Sequence, residues 1–159
     1  MTDIAELKEG DTAPEFSLAS SDGTIVHLLD LKGKRVALYF YPKDDTPGCT
    51  TEACNFRDNL AIIQQTGTLV FGVSPDNLKK HEKFIAKYEL NFPLLSDENS
   101  VIATAFGVWK EKYMYGKKYM GIERSTFLID SDGKIVKAWR KVKPDGHAIE
   151  VLNFIKTLS

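Results

Sequence analysis

Cysteine is almost missing from the sequence: two of its 159 residues, Cys49 and Cys54. A secreted domain held together by disulfides would carry more of them, spread along the chain. A structural zinc site needs about four ligands, and His27, His81 and His147 are scattered, with neither C-x2-C nor H-x3-H spacing. No metal and no other cofactor is expected. Charge of one sign is missing too. The 21 Lys and Arg nearly cancel the 22 Asp and Glu, for a net −1, where a nucleic-acid binder would show a basic excess or a basic face. No apolar run approaches the roughly 20 residues of a membrane span. The stretch Met1 to Gly10 is polar and acidic, unlike a signal peptide. Repeats, low-complexity tracts and linkers are absent, and 43% hydrophobic with 27% charged residues fits neither disorder, collagen nor coiled coil. These absences leave one domain over residues 1–159, able to bury about 68–70% of its unfolded surface without staples. It is expected in the cytoplasm, with neither nucleic acid nor membrane as partner.

What is present reads as strands alternating with helices. Phe16–Leu18 and Thr24–Leu28 flank Ser21-Asp22-Gly23, and Asp-Gly between apolar stretches marks a hairpin. Val36–Tyr41 is a continuous apolar run, suited to a central strand covered on both faces. After the turn-rich Pro42–Gly48, Ala53, Phe56, Leu60 and Ile63 share one helical face, and Gly67 is a stop. Leu69–Val73 is a second buried strand, and Ser74-Pro75-Asp76-Asn77 opens a helix with Leu78, Ile85 and Tyr88 as its apolar stripe and Phe84 beside it. A short strand at Pro93–Leu95 and a short helix from Ser96 or Asp97 to Phe106 follow. Lys110–Lys118, basic and aromatic without a clear period, is expected to be an exposed loop, with help in docking a partner as its lesser reading. Thr126–Ile129 and Ile135–Trp139 flank Ser131-Asp132-Gly133 as a second hairpin, and a helix from near Asp145 is expected to bury Ile149, Leu152 and Ile155. Strand–helix–strand–helix implies parallel strands joined by right-handed crossovers. The order β-α-β-α-β-β-α is that of the thioredoxin fold, an α/β arrangement with a mixed central sheet flanked by helices, here with an added N-terminal hairpin. Fold by itself assigns no function.

The chemistry concentrates at the cysteines. Thr46-Pro47-Gly48-Cys49 reads as a helix start, with Thr as N-cap and Pro at the first helical position, where no hydrogen bond is lost. Cys49 is then the third helical residue, its sulfur among unpaired N–H groups at the positive end of the helix, which favours the nucleophilic thiolate. The same pair would also suit two unrelated buried thiols, since a free cysteine packs as a small apolar side chain. Arg124, taken alone, reads as a surface charge, and topology offers it a second reading. If Thr126–Ile129 runs antiparallel to Val36–Tyr41, the Arg124 loop faces Cys49. Glu52 is read either as the partner of a nearby charge or as part of a solvated face. Tyr39 and Trp109 are expected in the core, with lining of the pocket as their second reading, and the three histidines have no evident role.

Pro42-x3-Thr46-x2-Cys49, with Arg124 downstream, resembles the active-site signature of the peroxiredoxins. A second cysteine five positions on, in Cys49-Thr50-Thr51-Glu52-Ala53-Cys54, is similar to the peroxiredoxin Q subgroup, also called bacterioferritin comigratory protein. The resemblance runs from Gly10-Asp11-Thr12-Ala13-Pro14-Glu15-Phe16 to the terminal helix. It implies that Cys49 is the peroxidatic cysteine, oxidised by a hydroperoxide to a sulfenic acid. It implies further that Cys54 resolves this by an intramolecular disulfide, which thioredoxin or a similar dithiol protein reduces. Each step is chemically sound: a sulfenic acid condenses with a nearby thiol, and donors aimed at developing negative charge ease O–O cleavage. Thr46 would supply a hydroxyl and Arg124 a permanent cation; Pro42, without an N–H, would wall the pocket. Intramolecular resolution needs no second subunit, so a monomer is expected. Two other readings stand beside this one. A disulfide reductase would use C-x2-C spacing rather than the x4 found here. A non-enzymatic module would use the same pair to switch a binding surface.

Overall fold

A computed structural model describes residues 7–158; Met1 to Glu6, most of the acidic N-terminal stretch, and Ser159 lie outside it. The strand expected at Val36–Tyr41 organises the rest. It is β3 (Arg35–Phe40), and its alternating side chains feed two separate cores. Ala37, Tyr39 and Tyr41 point into one; Val36, Leu38 and Phe40 point into the other. This is the period-2 geometry of a strand with both faces covered.

Around it lie β1 (Ser17–Ser20), β2 (Ile25–His27), β4 (Thr68–Ser74), β5 (Leu94–Ser96), β8 (Ser125–Ile129) and β9 (Ile135–Trp139), in the order β2-β1-β5-β4-β3-β8-β9. β3, β4 and β5 are parallel neighbours, and β8 runs antiparallel to β3 with Phe40 opposite Ser125. The first core is roofed by α1 (Pro47–Gln65), α2 (Leu78–Tyr88) and α4 (His147–Ile155). The second is closed by the N-terminal segment, by α3 (Val101–Ala105) and by the Phe106–Val108 stretch. The arrangement is the expected mixed-sheet, thioredoxin-like one, with the N-terminal hairpin in place. No helix among the described residues is long and apolar enough to cross a membrane.

Four expectations need correction. The short helix expected from Ser96 or Asp97 begins only at Val101, since Ser96 belongs to β5 and the Asp97 carboxylate accepts from the Ile102 and Ala103 N–H groups. Lys110–Lys118 is not a loop. It lies in a separate two-stranded hairpin, β6 (Trp109–Met114) with β7 (Lys117–Ile122), turning at Tyr115-Gly116. Only Trp109 and Ile122 at its base meet a core, so the usual apolar alternation is missing. In α4, Ile149 is exposed, while Val151 is buried with Leu152 and Ile155. The helix starts at His147 with Gly146 before it, and that register turns Ile149 outward. In α2 the buried positions are His81 and Phe84, with Ile85 and Tyr88 only half-buried. A histidine occupies a core position that apolar counting passes over.

Candidate active site

The register of β3 against β8 brings the end of one strand beside the start of the other, and so places Arg124 at the head of α1. Pro47 is the first helical residue, so Cys49 is the third. The first helical hydrogen bond runs from the Thr50 N–H to the Thr46 carbonyl at 2.8 Å. The N–H groups of Gly48 and Cys49 precede it and have no partner within the helix. Cys49 is 2% exposed. Arg124 spans the site: Nη2 donates to Cys49 Sγ at 3.3 Å, and Nη1 donates to Glu52 Oε1 at 2.7 Å. Gly48 makes this approach possible, since a Cβ there would stand 3.2 Å from Arg124 Nη2 and 3.4 Å from Pro144 Cγ. A cation and a helix N-terminus thus converge on one sulfur, an environment that stabilises an anion there.

Glu52 is completely buried, which settles its two readings in favour of the ion pair. Burial pushes its carboxyl up to about 7, against the pull of Arg124, and its Oε2 has no hydrogen-bond partner among the described residues. Tyr39 lies beneath, stacked on Phe56 with centroids 4.7 Å apart, and its buried hydroxyl is also without a partner. Burial, followed by the nearby Glu52 and Cys49 charges, holds the Tyr39 phenol well above its ordinary value, so it keeps its proton.

Cys54, half-buried on the same helix, is a free thiol, as is Cys49. Five residues of α-helix separate Cα atoms by about 8.7 Å, beyond the roughly 7 Å that a disulfide spans. Thr46 is extended, as an N-cap should be, but its side chain does not cap the helix; its hydroxyl donates to the Lys43 carbonyl at 2.9 Å. Pro42 is half-buried at the mouth of β3. Trp109 packs against the second core.

Sequence reasoning missed a buried set beneath the 42–46 turn. Tyr41 donates its hydroxyl to Asp44 Oδ1 at 2.5 Å, and His81 Nδ1 lies 2.6 Å from Asp44 Oδ2. His81 Nε2 faces the Leu95 carbonyl at 3.0 Å, and the Asp44 N–H donates to Asp76 Oδ2 at 2.6 Å. The turn that carries Thr46 is therefore tied to α2 and β5. His147 is likewise structural: its Nε2 meets the Thr126 hydroxyl at 2.7 Å, while burial lowers its basicity. Polar residues at helical positions facing a turn are the only sequence signal for either. Among the described residues no cluster of three or more His, Cys, Asp or Glu side chains is placed to hold a metal.

Comparison with known proteins identifies the family. Residues 9–138 match the AhpC/TSA family. Peroxiredoxin Bcp of Bacillus subtilis is 52% identical over 153 residues, covering 96% of this chain and 98% of that protein. A mutant of PrxQ from Xylella fastidiosa superposes with a TM-score of 0.92 at 44% identity, over 98% of this chain and 99% of that one. The bacterioferritin comigratory protein of Xanthomonas campestris, whose structures address alkyl peroxide reduction, gives a TM-score of 0.86 at 47% identity, over 90% of this chain and 91% of that one. With a family match over most of its length and relatives of this kind at about half identity, the chain belongs to the AhpC/TSA family and is a peroxiredoxin, a thiol peroxidase.

Proposed function

We propose that Cys49 is the peroxidatic and Cys54 the resolving cysteine of a peroxidase that acts on hydrogen peroxide and organic hydroperoxides and is recycled by thioredoxin or a similar dithiol protein. The observation that carries this reading is the Arg124 Nη2 donor 3.3 Å from a buried sulfur at a helix N-terminus. The Cys49 thiolate attacks the peroxide, the O–O bond breaks, and the sulfur takes one oxygen as sulfenic acid. The other oxygen departs with its electron pair and takes up a proton as water or alcohol. Arg124 and the free N–H groups at the head of α1 face the charge that develops on this leaving oxygen. Glu52 orients the guanidinium, Thr46 offers its hydroxyl oxygen, and Pro42 walls the mouth. Cys54 then displaces water from the sulfenic acid to form the disulfide.

The helix forbids that bond while it is intact, so its first turns unwind in each cycle. Thr50 and Thr51, both β-branched, and Gly48 lower its resistance. No second subunit and no cofactor take part. We read the molecule as a cytoplasmic monomer of one domain, 1–159; the central seven-stranded sheet, covered on both faces, supports the single domain.

The test is the division of labour between the thiols. Cys49→Ser abolishes peroxide reduction. Cys54→Ser retains one fast turnover, seen in a single-turnover mixing experiment, and loses thioredoxin-driven cycling. Turnover surviving in Cys49→Ser, with the first oxidation lost in Cys54→Ser, would reverse the roles.

A further inference from the structure

The β6–β7 hairpin is built unlike the rest of the molecule. Tyr113, Met114, Tyr115, Tyr119 and Met120 are all exposed, Tyr115 at 98%. Large apolar side chains gathered on one exposed element mark a contact surface. Directly opposed residues of an antiparallel pair share a face, so Lys112 with Tyr119, and Met114 with Lys117, lie on one side of the hairpin. A Cβ on Gly121 would stand 3.3 Å from both Lys112 Cδ and Tyr119 Cε2, which shows the two side chains covering it together.

The hairpin joins the site through its base: β7 ends at Ile122, two residues before the Arg124 that meets Cys49 Sγ at 3.3 Å, and the Glu123 N–H donates to the Val108 carbonyl at 2.8 Å just ahead of β6. Burial, then the Arg124 charge, holds the Lys112 ammonium below the usual lysine range, against the opposite pull of Glu123 and then Cys49. The 141–144 loop continues the surface. The Val142 N–H donates to the Arg124 carbonyl at 3.0 Å, and Pro144 abuts Gly48. Lys117, Lys141 and Lys143 are exposed, with no ion pair to a carboxylate among the described residues. That side of the hairpin and the 141–144 loop therefore carry Lys117, Lys141 and Lys143 with the exposed Met114 and Tyr119, while Tyr113 and Met120 belong to the hairpin's other side.

We propose that this face, the Lys112–Lys117–Tyr119 side of the hairpin together with the 141–144 loop, docks the protein dithiol that regenerates the enzyme, and that this partner presents carboxylates and an apolar rim around its own thiol. The proposal rests on the Cys49–Cys54 disulfide of the preceding reading. The partner's thiolate attacks one sulfur of that disulfide, and the S–S bond breaks with its electron pair left on the other. The partner's second thiol resolves the mixed disulfide. Two electrons and two protons pass from the partner dithiol to the cysteine pair. Complementary charge at such a rim acts chiefly on the encounter rate and its salt dependence.

The experiment uses the full chain, a purified thioredoxin of net negative charge as probe, and dithiothreitol as an uncharged small dithiol. Mass spectrometry of the peroxide-treated wild type first establishes the Cys49–Cys54 disulfide; its absence would overturn the docking proposal along with the reading beneath it. With the disulfide present, Lys117→Glu/Lys141→Glu/Lys143→Glu should slow reduction by thioredoxin by at least about tenfold at low salt and flatten its salt dependence. Reduction by dithiothreitol and oxidation by peroxide should stay within about twofold of wild type, because neither small reactant presents the carboxylates that the lysines meet. Met114→Ser/Tyr119→Ser should weaken the thioredoxin reaction without changing its salt dependence. An unchanged thioredoxin rate in the charge-reversed variant would overturn the proposal. So would a loss shared equally by dithiothreitol, or an effect confined to self-association or to binding of anionic phospholipid vesicles.

Discussion

Replacing Glu52 by glutamine tests the electrostatics of the site most directly. The side chain is fully buried, accepts one hydrogen bond from Arg124, and has its carboxyl raised from 4.5 to about 7 by burial. A carboxyl whose folded value is raised binds its proton more tightly in the folded protein than in the unfolded chain. Its contribution to stability is therefore complete below about pH 4.5 and is lost as pH rises to about 7, where the fold must bury a carboxylate with one oxygen unpartnered. At about 1.36 kcal/mol per pH unit, the loss is about 3 kcal/mol. Glutamine keeps a carbonyl to accept from Arg124 Nη1 and removes the titration. Urea unfolding of the reduced wild type and Glu52→Gln, measured from pH 4.5 to 8, should show the variant gaining on the wild type by about 3 kcal/mol across that interval. Below pH 4.5 the two should keep a constant difference. Other carboxylates titrate alike in both proteins and cancel. Parallel stability profiles over the whole range would refute the argument and show that Arg124 offsets the burial of Glu52 completely.

Two further predictions concern catalysis. Arg124→Ala should slow Cys49 oxidation by about 10²–10³, the usual worth of one oxyanion donor. It is best read in stopped flow on Arg124→Ala/Glu52→Gln against Glu52→Gln, because the single variant strands a buried carboxylate; a change of less than about twofold would remove Arg124 from the mechanism. In hydrogen exchange, amides from about Ala53 to Arg57 should be protected in the reduced protein and exposed after oxidation, while Val36–Tyr41 stays protected in both. Equal protection in the two states would exclude unwinding of the helix start.

Much of this protein is legible along the chain because its signals are local. The Val36–Tyr41 run is apolar at every position, so either pleat finds a core, and the strand needs no knowledge of what covers it. Pro47 and the extended Thr46 mark the helix start by steric rules of the backbone, and those rules alone put Cys49 at the third helical position. Cys54 follows five residues later on the same helix, and the conflict between that spacing and a disulfide is already arithmetic. Arg124 is assigned to the site by the peroxiredoxin signature, and antiparallel pairing gives the physical reason, since it converts sequence distance into a shared sheet edge.

What tertiary structure decided depends on long-range proximity. Glu52 reads equally well as a surface charge or a buried partner, and only the packing of α1 against the sheet, with Arg124 arriving from 72 residues away, makes it a buried carboxylate near neutrality. The β6–β7 hairpin has no apolar alternation to announce it, because its pairing is held by backbone hydrogen bonds while most of its side chains face water. His81 lies in the core because Asp44 and the Leu95 carbonyl satisfy both its nitrogens. A polar residue is buried at little cost only where such partners meet it, and the chain between positions 44, 81 and 95 gives no sign that they will.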